Sequence, residues 1–329
     1  MSRISVVICS FNEKEFIKRA IQSVVAQKRD NFEIEIIIGD DGSNDGSIEY
    51  IEELEKNDII LMQLGNGTIQ HFVMQRTVDE NNIIPSIRVS DVIKNGLRIA
   101  TGDYVCLLSA DDFFCDDSKF KVALNFLESN PDYIAYVTGF QKTGFIKSKH
   151  FPCTKSAIGY WSGEYLHISS FIFRRFKPEL LLDRFCDDTG FEFTLATLGK
   201  WKFDKTITFA YVQRTGSIMH VSNKLELCIL EMMLFQDIMN TDPGYMLRCA
   251  TRARYCKRIL ICFFERETLK KPMYAKYINN CAMFDKDIIG TIVKFDSLNL
   301  SKRIRFLLQL AQMVFDFFLS VFFRKFLKD

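Results

Sequence analysis

Two short acidic clusters, Asp40-Asp41-Gly42-Ser43 and Ser109-Ala110-Asp111-Asp112, are the residues of this chain best suited to chemistry. Each follows an apolar, β-branched run, Ile34-Glu35-Ile36-Ile37-Ile38-Gly39 in one case and Tyr104-Val105-Cys106-Leu107-Leu108 in the other. Short runs of this kind bounded by turn residues read as buried parallel strands. Carboxylates at their ends stand at the carboxyl edge of an open α/β sheet, where ligands bind. Hard cations take oxygen ligands, so Asp111 and Asp112 suit Mg2+ or Mn2+ bridging a diphosphate better than zinc. The same pair can equally close a turn, as can Asp40-Asp41-Gly42-Ser43. A carboxylate of the first cluster can accept a hydrogen bond from a base edge or a ribose hydroxyl. Phe11 either lies against that base or belongs to the core.

The elements that must position these groups follow from hydrophobic spacing. A first strand over residues 4–9 runs into Ser10-Phe11-Asn12-Glu13, after which Phe16, Ile17, Ala20, Ile21, Val24 and Val25 recur at helical spacing. The strand ending at Asp40 leads to a turn whose Ser47 can cap a helix over 48–55. This βαβα opening predicts a parallel sheet with right-handed crossovers. Residues 65–86, polar and Gly-rich with a late Pro85, read as a long mobile loop. Val89, Ile93 and Leu97 mark a helix leading to the second acidic strand, and Asp117 is placed to cap the helix after it. From Leu225 onward the sequence is nearly continuous helix former, which divides the chain into 1–221 and a helical region, 222–329.

Bulk properties narrow the classes. With 329 residues and 48% apolar content the chain can bury one large domain and an appendage. A net charge of +2 gives no global support for a nucleic-acid partner. The 10 cysteines show no C-x-x-C pair and read as reduced thiols. Met1 runs almost directly into the first strand without an export segment, which points to a cytoplasmic protein.

Taken in order, these residues resemble the family-two glycosyltransferases, nucleotide-diphospho-sugar transferases of GT-A fold. Ile4-Ser5-Val6-Val7-Ile8-Cys9-Ser10-Phe11-Asn12-Glu13 is similar to the family's first strand and its Asn-Glu turn, and Asp40-Asp41-Gly42-Ser43 to its second signature. Lys94-Asn95-Gly96 and Gly102-Asp103-Tyr104 resemble its Arg-Asn-x-Gly helix and the entry to the next strand. Ser109-Ala110-Asp111-Asp112 stands where the family has Asp-x-Asp-Asp, with Ser109 in place of the first carboxylate. The resemblance covers roughly residues 2–220. It implies an α/β, Rossmann-like GT-A fold, a mostly parallel sheet flanked by helices, with a C-terminal helical extension. It also implies that Cys9, Phe11, Asn12, Glu13, Asp41, Arg88, Lys94, Ser109, Ala110 and Asp111 surround the nucleotide sugar, with Asp41 at the nucleobase. Asp111 and Asp112 then handle the metal.

An inverting transferase also needs a base for the acceptor hydroxyl. Asp187-Asp188-Thr189-Gly190 resembles the Glu-Asp pair that opens a helix in the family, which implies Asp188 as that base; a helix-capping carboxylate is the plain alternative. Trp161 and His167 resemble acceptor-side positions, Arg214 or His220 are candidates to neutralise the leaving diphosphate, and Arg76 and Arg88 to close on it.

Near the end, Arg305, Gln309, Gln312, Asp316, Ser320 and Arg324 form a narrow polar stripe on an otherwise apolar helix, about 301–328. A central Asp costs about 2.5 to 3.5 kcal/mol in a spanning helix, which favours a helix lying in the bilayer interface over one crossing it. Packing on protein is the alternative.

The expectation from sequence is a metal-dependent inverting glycosyltransferase that moves a sugar from a nucleoside-diphosphate sugar to a glycan or lipid-linked acceptor in cell-surface polysaccharide synthesis. It would work at the inner face of the cytoplasmic membrane, with peripheral contact through the last helix and no nucleic acid. A degenerate GT-A domain serving as a nucleotide-binding or membrane assembly partner is the non-enzymatic alternative. Nucleotidyl transfer to a sugar phosphate fits less well, because Ser10-Phe11-Asn12-Glu13 is neither Gly-rich nor basic.

Overall fold

The computed structural model describes residues 1–28, 31–56, 64–76, 85–144, 149–151, 166–182, 188–214, 224–242, 245–275 and 288–326. Asp187, Trp161 and His220 lie outside them. The chain divides into two compact units, Met1–Thr215 and Gly216–Asp329.

The first unit opens with β1 (Ser2–Ser10), α1 (Lys14–Val25), β2 (Phe32–Asp40) and α2 (Ser47–Glu55). On α1 the residues Ile17, Ala20, Ile21, Val24 and Val25 are buried, as their spacing requires. Two expectations shift in detail. Within the stretch read as a loop, Thr68–Val73 forms β3, parallel to the outer edge of β2. Its Thr-Ile-Gln-His-Phe-Val sequence is strand-forming, and the flanking glycines had masked it. Ser47 does not cap α2; Gly46 holds that position at a φ of 87°, while the Ser47 hydroxyl donates to Asp45.

The chain continues through α3 (Pro85–Ile99), β4 (Tyr104–Ser109), β5 (Phe113–Phe114), α4 (Lys119–Ser129), β6 (Tyr133–Gly144), β7 (Lys149–Phe151), β8 (Phe171–Arg174), α5 (Asp188–Leu198) and β9 (Lys200–Gln213). Among the described residues the strands form one sheet, in the order β3-β2-β1-β4-β8-β6-β9-β5, with β7 on β6. The half built from β3, β2, β1 and β4 is parallel. Beyond β4 the sheet is mixed, since β8 runs antiparallel to both β4 and β6. Ile4, Val6 and Ile8 of β1 face one core layer with α1. On the opposite face α3 presses so close that a Cβ on Gly96 would clash with Val7 Cγ1. That contact explains the glycine of Lys94-Asn95-Gly96 by packing.

The second unit is helical: α6 (Lys224–Asn240), α7 (Tyr245–Phe264), α8 (Arg266–Leu269), α9 (Ile288–Val293) and α10 (Leu300–Phe326). Arg258 of α7 donates to Glu231 of α6 at 2.7 Å. Phe306 of α10 lies 5.7 Å from Phe263 of α7 and 5.6 Å from Phe295, ring centre to ring centre. Among the described residues no helix is long and apolar enough to cross a membrane.

Candidate active site

Strand register gathers the acidic clusters. Ser10 of β1 lies opposite Asp40 of β2, and Cys9 lies opposite both Gly39 and Ser109 of β4. The ladders extend into the turns, where Asp41 N donates to Ser10 O and Ala110 N to Cys9 O, each at 2.9 Å. Neighbouring strands are about 4.8 Å apart, so the ends of β2 and β4 flank β1 across about 10 Å.

At the β2 end the two aspartates divide the work. Asp40 accepts from Gly42 N at 3.0 Å and Ser43 N at 2.7 Å, holding the turn that gives Gly42 its φ of 81°. Asp41 is met by two arginines, Arg76 Nε at 2.5 Å and Arg88 Nε at 2.7 Å. Arg88 also lies 4.8 Å over the ring of Phe11, which is 44% exposed. Both arginines, which the sequence offers as candidates to close on a diphosphate, thus meet Asp41. Asn12, at a left-handed φ of 55°, clamps the two turns: its N donates to Ser43 Oγ at 2.7 Å and its Oδ1 accepts from Asn44 N at 2.9 Å. Burial and the charge of Asp41 push the Cys9 thiol up to about 12, so it stays neutral. Lys94 lies buried further down α3, level with the strands, since Val92 packs at Gly39 and Gly96 at Val7.

At the β4 end Arg214, just past β9, joins two carboxylates. Its Nε donates to Asp111 Oδ2 at 3.1 Å, and its guanidinium pairs with Glu13 from the β1 turn. Burial pushes the Asp111 carboxyl up to about 6. Asp112 points inward and is fully buried, with Oδ1 accepting from Val212 N at 2.9 Å. Burial, and then the charges of Asp111 and Asp188, hold its carboxyl well above the ordinary range.

Beside Asp112 stands His167, its Nε2 3.6 Å from Asp112 Oδ2. Burial and the cations Lys119 and Lys142 lower the imidazole to about 3, so it is neutral at pH 7 and the contact is no ion pair. Nδ1 accepts from Ser169 N at 3.2 Å, which puts the proton on Nε2, facing Asp112. Buried beneath, Lys119 Nζ donates to Ser169 O at 2.8 Å and to Thr138 and Thr208, each at 3.2 Å, fixing the turn that carries His167.

Asp188 is the first residue of α5, where a carboxylate suits the helix dipole. Its charge reaches Asp112 and Tyr211. Tyr211, 4.8 Å from the His167 ring, is pushed up to about 12 by burial and by Asp112, Asp111 and Asp188 in turn. The charges of Asp111, Asp112 and Asp188 therefore all reach Tyr211. Sequence reasoning gave it no role, because its signal is a convergence of charges and its motif says nothing of that.

Among the described residues no group of three or more His, Cys, Asp and Glu is arranged to hold a metal ion. Asp112 is fully buried with Oδ1 on Val212 N–H, whereas Asp111 is partly exposed and pairs with Arg214. A single carboxylate completed by diphosphate oxygens and water is the way magnesium is commonly taken, so the donor set fits a cation that arrives with the diphosphate.

Residues 5–69 match the model of the family described as glycosyl transferase family 2. An uncharacterized glycosyltransferase of Mycoplasma genitalium is 30% identical over 112 residues, 34% of this chain and 33% of that protein. The GalNAc(5)-diNAcBac-PP-undecaprenol beta-1,3-glucosyltransferase of Campylobacter jejuni is 30% identical over 112 residues, 34% of this chain and 30% of that protein. The matched segment thus spans about a third of the length of these relatives. The crystal structure of S. aureus TarS 1-349 in complex with UDP-GlcNAc superposes with a TM-score of 0.58 at 16% identity, over 97% of this chain and 89% of that one. That likeness is one of fold. Residues 5–69 thus match glycosyl transferase family 2, and the chain shares the GT-A fold of the solved glycosyltransferase structure.

Proposed function

We propose that this protein is an inverting glycosyltransferase that moves a sugar from a nucleoside-diphosphate sugar to a hydroxyl of a glycan or lipid-linked saccharide. The observation that carries this reading is Asp111, paired with Arg214 at the end of β4, standing two strands from Asp41 and its arginines at the end of β2, with the charge of Asp188 reaching Asp112. Asp41, held by Arg76 and Arg88, offers an acceptor flanked by donors to the nucleobase edge, with Phe11 alongside. Arg214 lies beside Asp111, where a cation can take up charge on the leaving diphosphate. Asp188 takes the proton of the acceptor hydroxyl as its oxygen attacks the anomeric carbon from the face opposite the diphosphate. The C–O bond to the diphosphate breaks in the same displacement, and the anomeric configuration inverts. A Mg2+ or Mn2+ ion bound through Asp111 would supply Lewis-acid neutralisation of the departing diphosphate.

A lipid-linked acceptor is supported by the relative named for a PP-undecaprenol substrate. The corresponding workplace is the cytoplasmic face of the membrane, in cell-surface polysaccharide synthesis. Ser109 favours one second reading, a degenerate domain that binds nucleotide without turnover. Incubation with UDP-, GDP- and dTDP-sugars and a panel of lipid-linked saccharides, read by NMR of the anomeric proton, tests both. Transfer with inversion is expected. Retention of configuration overturns the mechanism, and nucleotide binding without transfer or hydrolysis of any donor favours the degenerate domain.

A further inference from the structure

Around the axis of α10 the residues fall into three sectors. Phe306 and Leu310 are buried on the side that meets α7. Lys302, Arg305 and Gln309 form an exposed polar sector on another side. Leu300, Ile304, Leu308, Ala311, Phe315 and Leu319 recur every three or four residues, which at 100° per residue keeps them on one face. This third sector is open to solvent, with Leu308 66% and Phe315 56% exposed. It runs along about 28 Å of helix. Phe306 and Leu310 already supply the packing of α10 within its unit, so the open stripe is not spent on the core.

We propose that α10 binds the interface of an anionic bilayer, with the open stripe among the acyl chains and Lys302 and Arg305 at the headgroups. Crossing is set aside because no described helix is long and apolar enough for it. Charge selects the occupant. The helix carries five Lys and Arg residues against a single acidic one, Asp316. A second copy of the same stripe would bring like net charge alongside, whereas anionic headgroups complement it. The packed sector and the open stripe adjoin on the helix, so the helix can lie flat on a membrane while still held by α7. The inference is independent of the transferase reading, because vesicle binding is measured with neither donor nor acceptor.

The test uses the full chain and vesicles of phosphatidylcholine, with or without phosphatidylglycerol, in a flotation assay. The wild type is expected to float with phosphatidylglycerol vesicles and to partition at least tenfold less into pure phosphatidylcholine. The exposed double substitution Leu308→Gln/Phe315→Gln should lower partition to the anionic vesicles by at least tenfold, with circular dichroism unchanged. Lys302→Gln/Arg305→Gln should reduce the preference for anionic lipid. Equal flotation of wild type and Leu308→Gln/Phe315→Gln would overturn the proposal. So would a wild-type dimer by light scattering that this double substitution dissolves while vesicle binding is absent.

Discussion

Arg214 Nε lies 3.1 Å from Asp111 Oδ2, so the acidic turn after β4 receives its counter-charge from the end of β9, more than a hundred positions along the chain. The same guanidinium reaches Glu13 in the first turn. Arg214→Gln is therefore expected to weaken nucleoside-diphosphate binding by about ten- to a hundredfold, the worth of one hydrogen bond to a charged group. Arg214→Lys should recover part of that loss. Calorimetric titration with UDP, GDP and dTDP measures it, and unchanged affinity for every one of them would remove Arg214 from the diphosphate site.

Asp188→Asn keeps the shape of the side chain and removes its basicity. Turnover should fall by about a hundred- to ten-thousandfold, the usual contribution of a general base. Nucleoside-diphosphate affinity should stay within about twofold, since the effect is confined to the chemical step. A variant that turns over at the wild-type rate would show that another group takes the proton.

Asp41 and Arg76 have side chains only 6% and 5% exposed. Asp41→Ala leaves Arg76 and Arg88 without that buried carboxylate, a change that costs about 3 to 5 kcal/mol in comparable pairs. Asp41→Asn should cost less, because the amide oxygen still accepts. Urea unfolding monitored by circular dichroism distinguishes the two. A loss below about 1 kcal/mol in Asp41→Ala would mean that the arginines find other partners.

Chelation should abolish transfer, and added Mg2+ or Mn2+ should restore it. Because Asp111 is the partly exposed carboxylate of the pair, Asp111→Asn is expected to remove the gain in nucleoside-diphosphate affinity that the cation gives the wild type. Full turnover in excess chelator would show that Arg214 alone suffices as counter-charge.

His167 should make its mark in acid. Its folded value, about 3, lies below the ordinary 6.5, so the unfolded chain takes the proton first. The stabilisation from this group is complete above about pH 6.5 and lost as pH falls toward 3. Between pH 7 and pH 4.5 the wild type should lose about 2 kcal/mol more than His167→Gln, as measured by chemical unfolding at each pH. Parallel acid limbs would contradict a neutral buried imidazole.

Local pattern carried the parallel half of the sheet apart from β3. The β-branched runs ending at Asp40 and Ser109 and the spacing of Ile17, Ala20, Ile21 and Val24 dictate strand and helix without distant partners. The mixed half was less legible, because β8 and β9 earn their direction from tertiary pairing with β4 and β6. At the site, sequence motifs pointed to Asp41, Asp111 and Asp188, yet not to the contacts that set their charge. Arg76, Arg88 and Arg214 meet their aspartates across separations of 35, 47 and 103 positions. Residue type alone does not pair one cation among many with one anion. Asp117 shows the same at small scale: it pairs with Lys28 at 3.0 Å, while its neighbour Asp116 accepts from Ser118 N at the start of α4.

The double register of Cys9, opposite Gly39 on one side and Ser109 on the other, also sets where this protein tolerates change. Inserting or deleting a single residue in β1, β2 or β4 would turn Asp41 or Asp111 to the reverse side of the pleat. These three strand ends are therefore rigid toward indels. An indel beyond β4, by contrast, leaves the register of β1, β2 and β4 untouched.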